Sequence, residues 1–460
     1  MKRLRWGTIT EALTRIDWAT SYLVIALTAG VLFVFITPPL TSWDERPHYY
    51  RSWSVSEGQL RVPSSGIVRL PENAADLANT FPNAHLTPDT AKIDVGRVLD
   101  ELDTPFGAHQ ADSASISSRY GPLGYVPQAT AILLLRPFGR SPLAALYLGK
   151  LLNLFCSVAL VYFAIRVLPF AKPALFLIAL LPMVLQETAS LSPDALLLSG
   201  SFFFSALVLH CTQLERLSAW QMVALPIAAV VLLNTKPGYA ELALLVLLLT
   251  PRQFGGLKRY FAVVGSTVVL AGLLAVALQM IAPADSQEIL ERFLGPDNGV
   301  DAHAQLSFVL HHPFAFPFAV ARTFDASGLI LAKSGVASFA WGQTTTTDLV
   351  VLLAALAAAA VIATHERVRL AAWRRAIVLG MAALVGLVVC LAFYVSFTPV
   401  GAATIQGVQG RYFIPSVTLA FFGLVGFPYG RRWLMPLTVI VLVVLLLLMS
   451  ALKSFTLYYS

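Results

Sequence analysis

Two adjacent carboxylates, Asp44 and Glu45, closely follow the first apolar segment of the chain. Proline cannot continue a helix, so Pro38 and Pro39 should end that segment shortly before the two acids. A carboxylate held in such a place can act as a general base and take a proton from a hydroxyl group. Because the side chains of neighbouring residues diverge, we expect only one of the two to face a buried site. A solvated loop start is the alternative, and the dense aromatic and basic surroundings weigh against it.

Two cations stand beside other apolar runs. Lys236 is isolated in the short turn Asn234–Gly238, and Arg411 belongs to the segment Gln409–Tyr412. Either cation could hold a phosphate, for which arginine has the better bidentate geometry. Either could also extend its charged end to lipid headgroups, so the pattern leaves both roles open.

Three more residues occupy turns next to apolar runs. Asp194 follows Ser192-Pro193, where it either faces a site or caps the helix that begins near Ala195. Tyr120 and Tyr125 flank a Gly-Pro-Leu-Gly turn, where a structural role is at least as well supported as a ligand contact. No spacing of histidines or cysteines predicts a metal site.

The composition requires a membrane environment for these groups. Of the 460 residues, 57% are hydrophobic and only 12% are charged, whereas soluble domains are about 25% charged. This excludes a soluble enzyme, a disordered protein and a disulfide-stapled secreted module. The net charge of +7 indicates basic cytoplasmic loops rather than binding to nucleic acid.

The apolar runs predict an all-α polytopic fold with about 11 transmembrane helices, within a range of 9 to 13. The predicted spans are residues 21–40, 148–165, 174–190, 195–213, 220–233, 239–250, 260–282, 348–364, 376–398, 412–428 and 433–451. With the N-terminus in the cytoplasm, sixteen basic residues fall in the inner segments and three in the short outer ones. This asymmetry predicts that the candidate residues lie on the extracytoplasmic face.

Two long polar stretches should also lie outside, so the spans divide the chain into seven parts. These are a cytoplasmic N-terminus (1–20), the first helix (21–40), an extracytoplasmic loop with interfacial helices (41–147), a transmembrane bundle (148–282), a second extracytoplasmic loop (283–347), C-terminal transmembrane helices (348–451) and a tail (452–460). Within the first loop, residues 125–136 are apolar but too short to cross, which favours an interfacial or re-entrant helix.

The segments Asp44-Glu45-Arg46-Pro47-His48, Tyr120–Tyr125, Ser192-Pro193-Asp194 and Gln409–Pro415 together resemble the bacterial membrane family catalogued as domain of unknown function 2142. The resemblance covers nearly the whole chain. That family is in turn similar to the GT-C glycosyltransferases, polytopic enzymes whose first outer loop bears a catalytic carboxylate. This chain departs from those enzymes by lacking an Asp-x-Asp motif. The sequence therefore predicts no metal site, and whether a divalent ion takes part stays an open question.

The resemblance implies an inverting transfer of a sugar from a polyprenyl-phosphate donor to an acceptor hydroxyl in cell-envelope glycan assembly. Asp44, or secondly Glu45, would be the base. The implied phosphate ligands are Arg411, Lys236, Arg119 and Arg322, and the implied substrate contacts are His48, Tyr120, Tyr125, Asp194, Gln409 and Tyr412. The partners would be the donor, a glycan, lipid or protein acceptor, and the lipids of the bacterial inner membrane.

Two other functions fit the pattern. A transporter or lipid flippase would place ionisable groups within its spans and break its helices near the midplane. A non-catalytic scaffold would tolerate loss of both Asp44 and Glu45. The long outer loops and the mostly uncharged span interiors favour catalysis.

Overall fold

The chain forms the predicted all-α membrane fold. The computed structural model describes residues 16–60, 67–81, 92–107, 109–114, 120–235, 237–281, 298–339, 344–363, 370–425 and 435–459. Its α-helices are α1 (Trp18–Ile36), α2 (Glu45–Ser56), α3 (Glu72–Thr80), α4 (Val95–Asp103), α5 (Val126–Leu135), α6 (Pro142–Val167), α7 (Lys172–Ala179), α8 (Pro182–Thr188), α9 (Asp194–Cys211), α10 (Ala219–Thr235), α11 (Leu257–Ile281), α12 (Ala302–His311), α13 (Ala315–Val336), α14 (Asp348–Ile362), α15 (Ala372–Ser396), α16 (Ile414–Leu424) and α17 (Met435–Tyr459).

Short strands and 3-10 segments complete the described part of the chain. The strands are β1 (Ile67–Pro71), β2 (Gln110–Ala114), β3 (Ser338–Phe339) and β4 (Thr344–Thr345). The 3-10 segments are Pro122–Tyr125, Arg136–Phe138, Pro237–Leu248, Pro251–Phe254 and Gly410–Phe413. Strands β1 and β2 pair antiparallel with Ile67 opposite Ala114, and β3 pairs antiparallel with β4.

Within the described ranges, seven helices are long and apolar enough to cross a membrane. They are Trp18–Ile36, Pro142–Val167, Asp194–Cys211, Leu257–Leu274, Ala315–Val336, Ala372–Ser396 and Pro436–Tyr459. Shorter apolar helices cover Ala219–Leu233, Gly238–Leu248 and Asp348–Ile362. Helix Ala315–Val336 is the one that the sequence did not predict, because it falls in the stretch interpreted as the second outer loop.

The helix ends follow local chemistry. Helix α1 begins at Trp18, where the Asp17 carboxylate accepts the backbone N–H of Ala19 at 3.1 Å, and it ends shortly before the two prolines. Helix α6 begins behind Ser141, whose hydroxyl oxygen accepts the N–H of Ala144 at 3.0 Å. Pro182 opens α8, so that the predicted span 174–190 is divided into two short helices.

Packing of these helices produces one large apolar core. Helix α6 packs against α1 and α9, α9 packs against α10, α15 against α16, and α14 against α17. Buried aliphatic and aromatic residues from all of these elements belong to the same cluster. The bundle therefore provides a rigid frame for the segments that join the helices at its ends.

The end of the bundle that carries Asp44, Glu187 and Arg411 is called the site end below. The first long polar stretch folds there: α2 packs on α5 and β1, around a second apolar cluster that includes Trp53 and Leu70. The predicted short helices are present as α3 and α4, but the β1–β2 pair was not predicted. The apolar run at 125–136 is helix α5, as its length indicated.

Helix α13 also lies along the site end. Its Phe316 ring is 5.7 Å from the Tyr394 ring, and the Thr323 hydroxyl oxygen accepts the N–H of Ile405 at 2.8 Å. Its last turn meets Gly410. All of these partners belong to the end of α15 or to the segment that joins α15 to α16, so α13 covers that segment.

Candidate active site at the site end of the bundle

The turn after α1 sends the two candidate carboxylates in different directions. Asp44 has a left-handed backbone conformation (φ 51°, ψ 19°) and immediately precedes α2. Its side chain is 26% exposed and points to Arg411, whereas the side chain of Glu45 is fully buried. The expectation that the two acids diverge is confirmed.

Arg411 joins two carboxylates that are far apart in the sequence. Its Nη2 donates to Asp44 Oδ2 at 2.7 Å, and its Nη1 donates to Glu187 Oε1 at 2.6 Å. The guanidinium group also lies over the ring of Trp43, 4.8 Å from the centroid, and Nη2 is 3.2 Å from the Tyr412 hydroxyl oxygen. These five residues form what we call the Arg411 cluster.

The charges of the Arg411 cluster are unequal. Burial acts to lower the pKa of Arg411, but Tyr412, the Glu187 and Asp44 carboxylates and the nearby Asp194 carboxylate together hold its pKa above the usual value. The guanidinium therefore stays charged. Within the cluster, the Asp44 and Glu187 carboxylates share this one cation.

A close backbone approach fixes the position of Arg411. Gly410 packs against the last turn of α13, where an added Cβ would lie 1.9 Å from the Leu331 carbonyl oxygen and 2.4 Å from the Gly335 nitrogen. The Ser334 hydroxyl oxygen accepts the N–H of Gly410 at 3.1 Å. Only glycine fits at this point, and α13 thereby positions the residue that follows.

Glu45 belongs to a second group of contacts, which we call the Lys150 pair. Lys150 of α6 lies 3.1 Å from Glu45 Oε1, and neither side chain is exposed. The same Oε1 accepts the backbone N–H of Leu191 at 3.1 Å. Glu45 thus links α2, α6 and the turn before α9, and no substrate can reach it in this structure.

The remaining predicted residues are placed in different ways. His48 Nδ1 lies 2.8 Å from the Tyr125 hydroxyl oxygen, and both residues are buried. The Tyr120 ring is 6.0 Å from the His48 ring. Asp194 is buried and is the first residue of α9, whose N-cap position is occupied by Pro193, so Asp194 is not the predicted cap.

Gln409 precedes the Arg411 cluster, and its buried Oε1 has no hydrogen-bond partner among the described residues. Arg322 is exposed on α13, and no contact within the described ranges brings it to Arg411. Lys236 and Arg119 lie outside the described residues. Their predicted roles stay predictions.

Two partners in this site were not among the predicted site residues, Glu187 and Lys150. Both are ionisable residues within apolar helices, where a charge is expensive unless it is paired. A charged residue within an apolar run of the sequence therefore predicts that the residue has a partner of opposite charge. The sequence alone does not identify that partner.

A cleft adjoins the Arg411 cluster. Its volume is about 330 Å³ including the open mouth. It is lined by Thr37, Thr41, Ser42, Trp43, Gln186, Glu187, Ser338, Phe339, Ser454 and Tyr458. The wall therefore combines the turn after α1, helix α8, strand β3 and the end of α17. In the described ranges, no three histidine, cysteine, aspartate or glutamate side chains are grouped so that they could hold a metal ion.

Comparisons with known proteins find a family model and a structural likeness. A family model described as "Predicted membrane protein (DUF2142)" matches residues 27–420. A search of curated protein sequences finds no match. The apo oligosaccharyltransferase of Archaeoglobus fulgidus is similar in structure, with 12% sequence identity and a TM-score of 0.36. The likeness covers 97% of this chain and 56% of the transferase chain, so this chain spans little more than half of its length.

Proposed function

The chain belongs to the DUF2142 family of membrane proteins, and we propose that it is a glycosyltransferase that uses a polyprenyl-phosphate sugar. The acceptor is a hydroxyl group of a glycan, lipid or protein in the cell envelope. We place the protein in the bacterial inner membrane with its N-terminus in the cytoplasm and its site end outside. The distribution of basic residues between the spans supports that orientation.

The observation that carries the proposal is the state of Asp44. Among the described residues, only Arg411 donates to its side chain, and it donates to Oδ2. The carboxylate is therefore held in place through one oxygen while the other can accept a proton. Its exposure of 26% leaves room for an acceptor hydroxyl. Held geometry together with a free oxygen is what a general base requires.

The reaction follows from this geometry. Asp44 Oδ1 takes the proton of the acceptor hydroxyl, whose oxygen attacks the anomeric carbon of the donor sugar. The bond from that carbon to the phosphate oxygen breaks, and polyprenyl phosphate leaves with the electron pair. A single displacement inverts the configuration at the anomeric carbon. Cations near the leaving phosphate would stabilise the charge that develops in the transition state.

Arg411 has a different role in this scheme from the one that the sequence suggested. Its two Nη atoms already donate to Asp44 and Glu187. It can therefore orient the base, but to bind a phosphate it would have to release a carboxylate. Lys236 and Arg119 stay our candidates for the phosphate, with Arg322 in reserve.

The other predicted contacts divide into residues with structural roles and residues that we propose to contact the substrate. His48 and Tyr125 are engaged with each other and support the start of α2. We propose Tyr120, Gln409 and Tyr412 as substrate contacts, with Asp194 acting through its charge on Arg411. Glu45 is buried against Lys150, so we assign the role of base to Asp44 alone.

One observation favours the alternative of a lipid transporter. The Lys150 pair is fully buried in a bundle of apolar helices, and paired charges inside spans are common in transporters. A transporter would move a polyprenyl-linked substrate across the membrane without breaking a covalent bond. Counting intact donor on the two sides of a liposome separates the two functions.

The decisive experiment measures donor consumption by the full chain in lipid nanodiscs. The probes are polyprenyl phosphates that carry a radiolabelled glucose, mannose, galactose or N-acetylglucosamine, with envelope extract as the acceptor. We expect label to leave the lipid fraction, and we expect Asp44→Asn to lower the rate about 10²- to 10⁴-fold.

Asp112→Asn is the matched control for this variant. Asp112 is also an aspartate of the first long stretch that pairs with an arginine, Arg69 at 3.3 Å, but its side chain is 57% exposed and belongs to strand β2. The control should transfer sugar at the unaltered rate. If Asp44→Asn is folded and transfers sugar as fast as the control, Asp44 is not the base.

A further inference from the structure

Side chains of three other helices hold the turn that joins α8 to α9, residues 190–192. Asn153 of α6 donates from Nδ2 to the carbonyl oxygens of the first and last residues of this turn, at 2.8 and 3.0 Å. Gln128 of α5 donates to the carbonyl oxygen of the middle residue, Leu191, at 3.0 Å, and Glu45 of α2 accepts the N–H of that residue at 3.1 Å. All three residues are at most 1% exposed. Because buried backbone groups are nearly always paired, the conformation of the turn depends on these side chains.

The same turn contacts two acids of the site. The Ser190 hydroxyl donates to the carbonyl oxygen of Glu187 at 2.8 Å, and the Ser192 hydroxyl donates to the Glu187 carboxylate. The Ser192 hydroxyl oxygen also accepts the N–H of Asp194 at 3.1 Å. The turn therefore determines where the Glu187 carboxylate meets Arg411.

Two routes of contacts lead from the turn to Asp44. One runs through Glu187 to Arg411, whose Nη2 donates to Asp44 Oδ2 at 2.7 Å. The other runs through Glu45, the next residue along the chain, which the Leu191 N–H holds in place. Asp44 has a left-handed backbone (φ 51°), which is uncommon for a residue other than glycine and persists only where its surroundings maintain it. The turn is placed to maintain both the side chain and the backbone of Asp44.

We propose that Asn153 and Gln128 are positioning residues for the general base. Their amide groups fix the turn, and the turn holds Asp44 through both routes. Neither amide contacts a reacting atom, so their loss should displace the base without removing it. The proposal rests on the proposed function for the role of Asp44 as base, whereas the hold of the turn on Asp44 is independent of that function. A displacement of about 1 Å at a reacting group can cost about 10² in rate.

The competing explanation is that these amides only stabilise the fold, and Gln253 provides the matched control for it. Gln253 is 5% exposed, and its Nε2 donates to the carbonyl oxygens of Cys211 and Leu214 at 2.6 and 3.0 Å. These carbonyl groups lie where α9 ends, whereas the turn at 190–192 lies where α9 begins. Asn153→Leu and Gln253→Leu thus each remove a buried amide that joins two backbone carbonyl groups, but only the first is linked to Asp44.

The first test measures transfer kinetics of the full chain in nanodiscs, at a temperature at which every variant stays folded. Asn153→Leu should lower kcat about 10- to 100-fold and leave KM within about twofold. Gln128→Met loses a single hydrogen bond to the turn and should lower kcat about three- to tenfold. It keeps the test open if Asn153→Leu does not fold. Gln253→Leu should leave kcat within about twofold of the unaltered chain. A folded Asn153→Leu or Gln128→Met with the kcat of this control would overturn the proposal.

Two double variants isolate the route through Glu45. Lys150→Met with Glu45→Gln keeps an oxygen that accepts the Leu191 N–H, whereas Lys150→Met with Glu45→Met removes that acceptor. The two variants have the same net charge and side chains of similar size. We expect kcat of the second to be at least about tenfold below that of the first, because only the second leaves the turn unpaired at this N–H. Equal kcat values would overturn the route through Glu45.

The second test needs no enzymatic activity. The Trp43 ring precedes Asp44 in the chain and lies 4.8 Å from the Arg411 guanidinium, so it reports on the position of that group. The full chain is labelled with fluorotryptophan in detergent, and loss of one fluorine resonance in Trp43→Phe identifies the signal. Asn153→Leu should move this resonance by more than its line width, and Gln253→Leu should not. Equal shifts in the two variants would overturn the proposal.

The two tests separate this proposal from the proposed function. If the Trp43 resonance moves only in Asn153→Leu and the unaltered chain transfers no sugar, the turn holds the site as proposed and the glycosyltransferase function is wrong. If the unaltered chain transfers sugar and Asn153→Leu has the same kcat as Gln253→Leu, the function stands and the positioning role is wrong.

Discussion

Asp44 and Glu45 are adjacent in the chain, yet each joins a different group of buried charges. In the Arg411 cluster, the Asp44 side chain is 26% exposed. In the Lys150 pair, both side chains are completely buried. The same residue types therefore serve different purposes, because only the first group combines fixed charge with access.

The difference also appears in how each cation is held. Lys150 lies inside the long helix α6, so its position follows from the helix itself. Arg411 lies in a 3-10 turn, and α13 holds that turn through the contact at Gly410. The Lys150 pair is thus part of the frame, whereas the Arg411 cluster depends on a covering helix.

Removal of the cation from the Arg411 cluster should have the largest effect on stability. Arg411→Met leaves Glu187 buried without a counter-charge beside a second carboxylate, and we expect a loss of about 3–5 kcal/mol in the free energy of unfolding. Thermal unfolding in detergent, scanned at a fixed rate, measures this loss. Arg69→Met removes the cation of an exposed pair and should cost about 1 kcal/mol or less. Similar unfolding temperatures for the two variants would contradict the buried role of Arg411.

The Lys150 pair should lose stability by the same mechanism but recover it when both charges are removed. Lys150→Met alone strands Glu45 and should also cost about 3 kcal/mol or more. In Lys150→Met with Glu45→Gln, the amide oxygen of the new side chain still accepts the Leu191 N–H, so most of the loss should disappear. We expect the double variant to retain transfer activity, since the pair has no contact with substrate. A folded but inactive double variant would show that the two groups are not separable.

Gly410 precedes Arg411 and Gly149 precedes Lys150, so alanine at each position compares the two groups of charges through smaller effects on stability. Gly410→Ala would meet backbone atoms and should cost about 1–3 kcal/mol while displacing Arg411. In Gly149→Ala, the one close contact of the added Cβ outside its own helix is the end of the Leu191 side chain at 2.9 Å, while a backbone Cα of α5 lies at an ordinary contact distance of 3.5 Å, and alanine favours the helix. Unfolding temperatures and transfer rates of the two variants give the comparison. An equal or larger loss for Gly149→Ala would be inconsistent with the structure.

The smallest effect is expected for Arg322. Because this residue is exposed on α13, Arg322→Gln should change the free energy of unfolding by no more than about 0.5 kcal/mol. If Arg322 assists the donor phosphate, KM for the donor should rise a few-fold without loss of stability. A large loss of stability in this variant would instead show that Arg322 stabilises the fold, as the buried Arg411 does.

Much of the fold could be predicted because it depends on local properties. Apolar runs and prolines located most of the helices, including the end of α1 before Pro38. Helix α13 was missed because Arg322, Asp325 and Lys333 interrupt its apolar character, and its mean hydropathy of 1.2 is the lowest of the seven candidate spans. A helix that lies along the end of a bundle needs no continuous apolar run.

The site could be predicted only in part. Asp44 and Arg411 lie 367 positions apart, but each was predicted at the same end of the spans, and their contact is confirmed. The partnerships of Glu187 and Lys150 depend on how α6 and α8 pack against α1, which no local pattern encodes. The need for glycine at 410 depends on the backbone of a distant helix and is equally invisible in the sequence.

The placement of the last helix has a consequence for biogenesis. Ser454 and Tyr458, near the end of α17, supply one wall of the cleft, and the N–H of Ile93 donates to the Tyr458 carbonyl oxygen. The ribosome therefore completes the helix that closes this wall long after the segment with Asp44 has been inserted. Premature termination before residue 450 would leave the cleft without this side, and a reporter domain fused after Tyr459 would emerge at its rim.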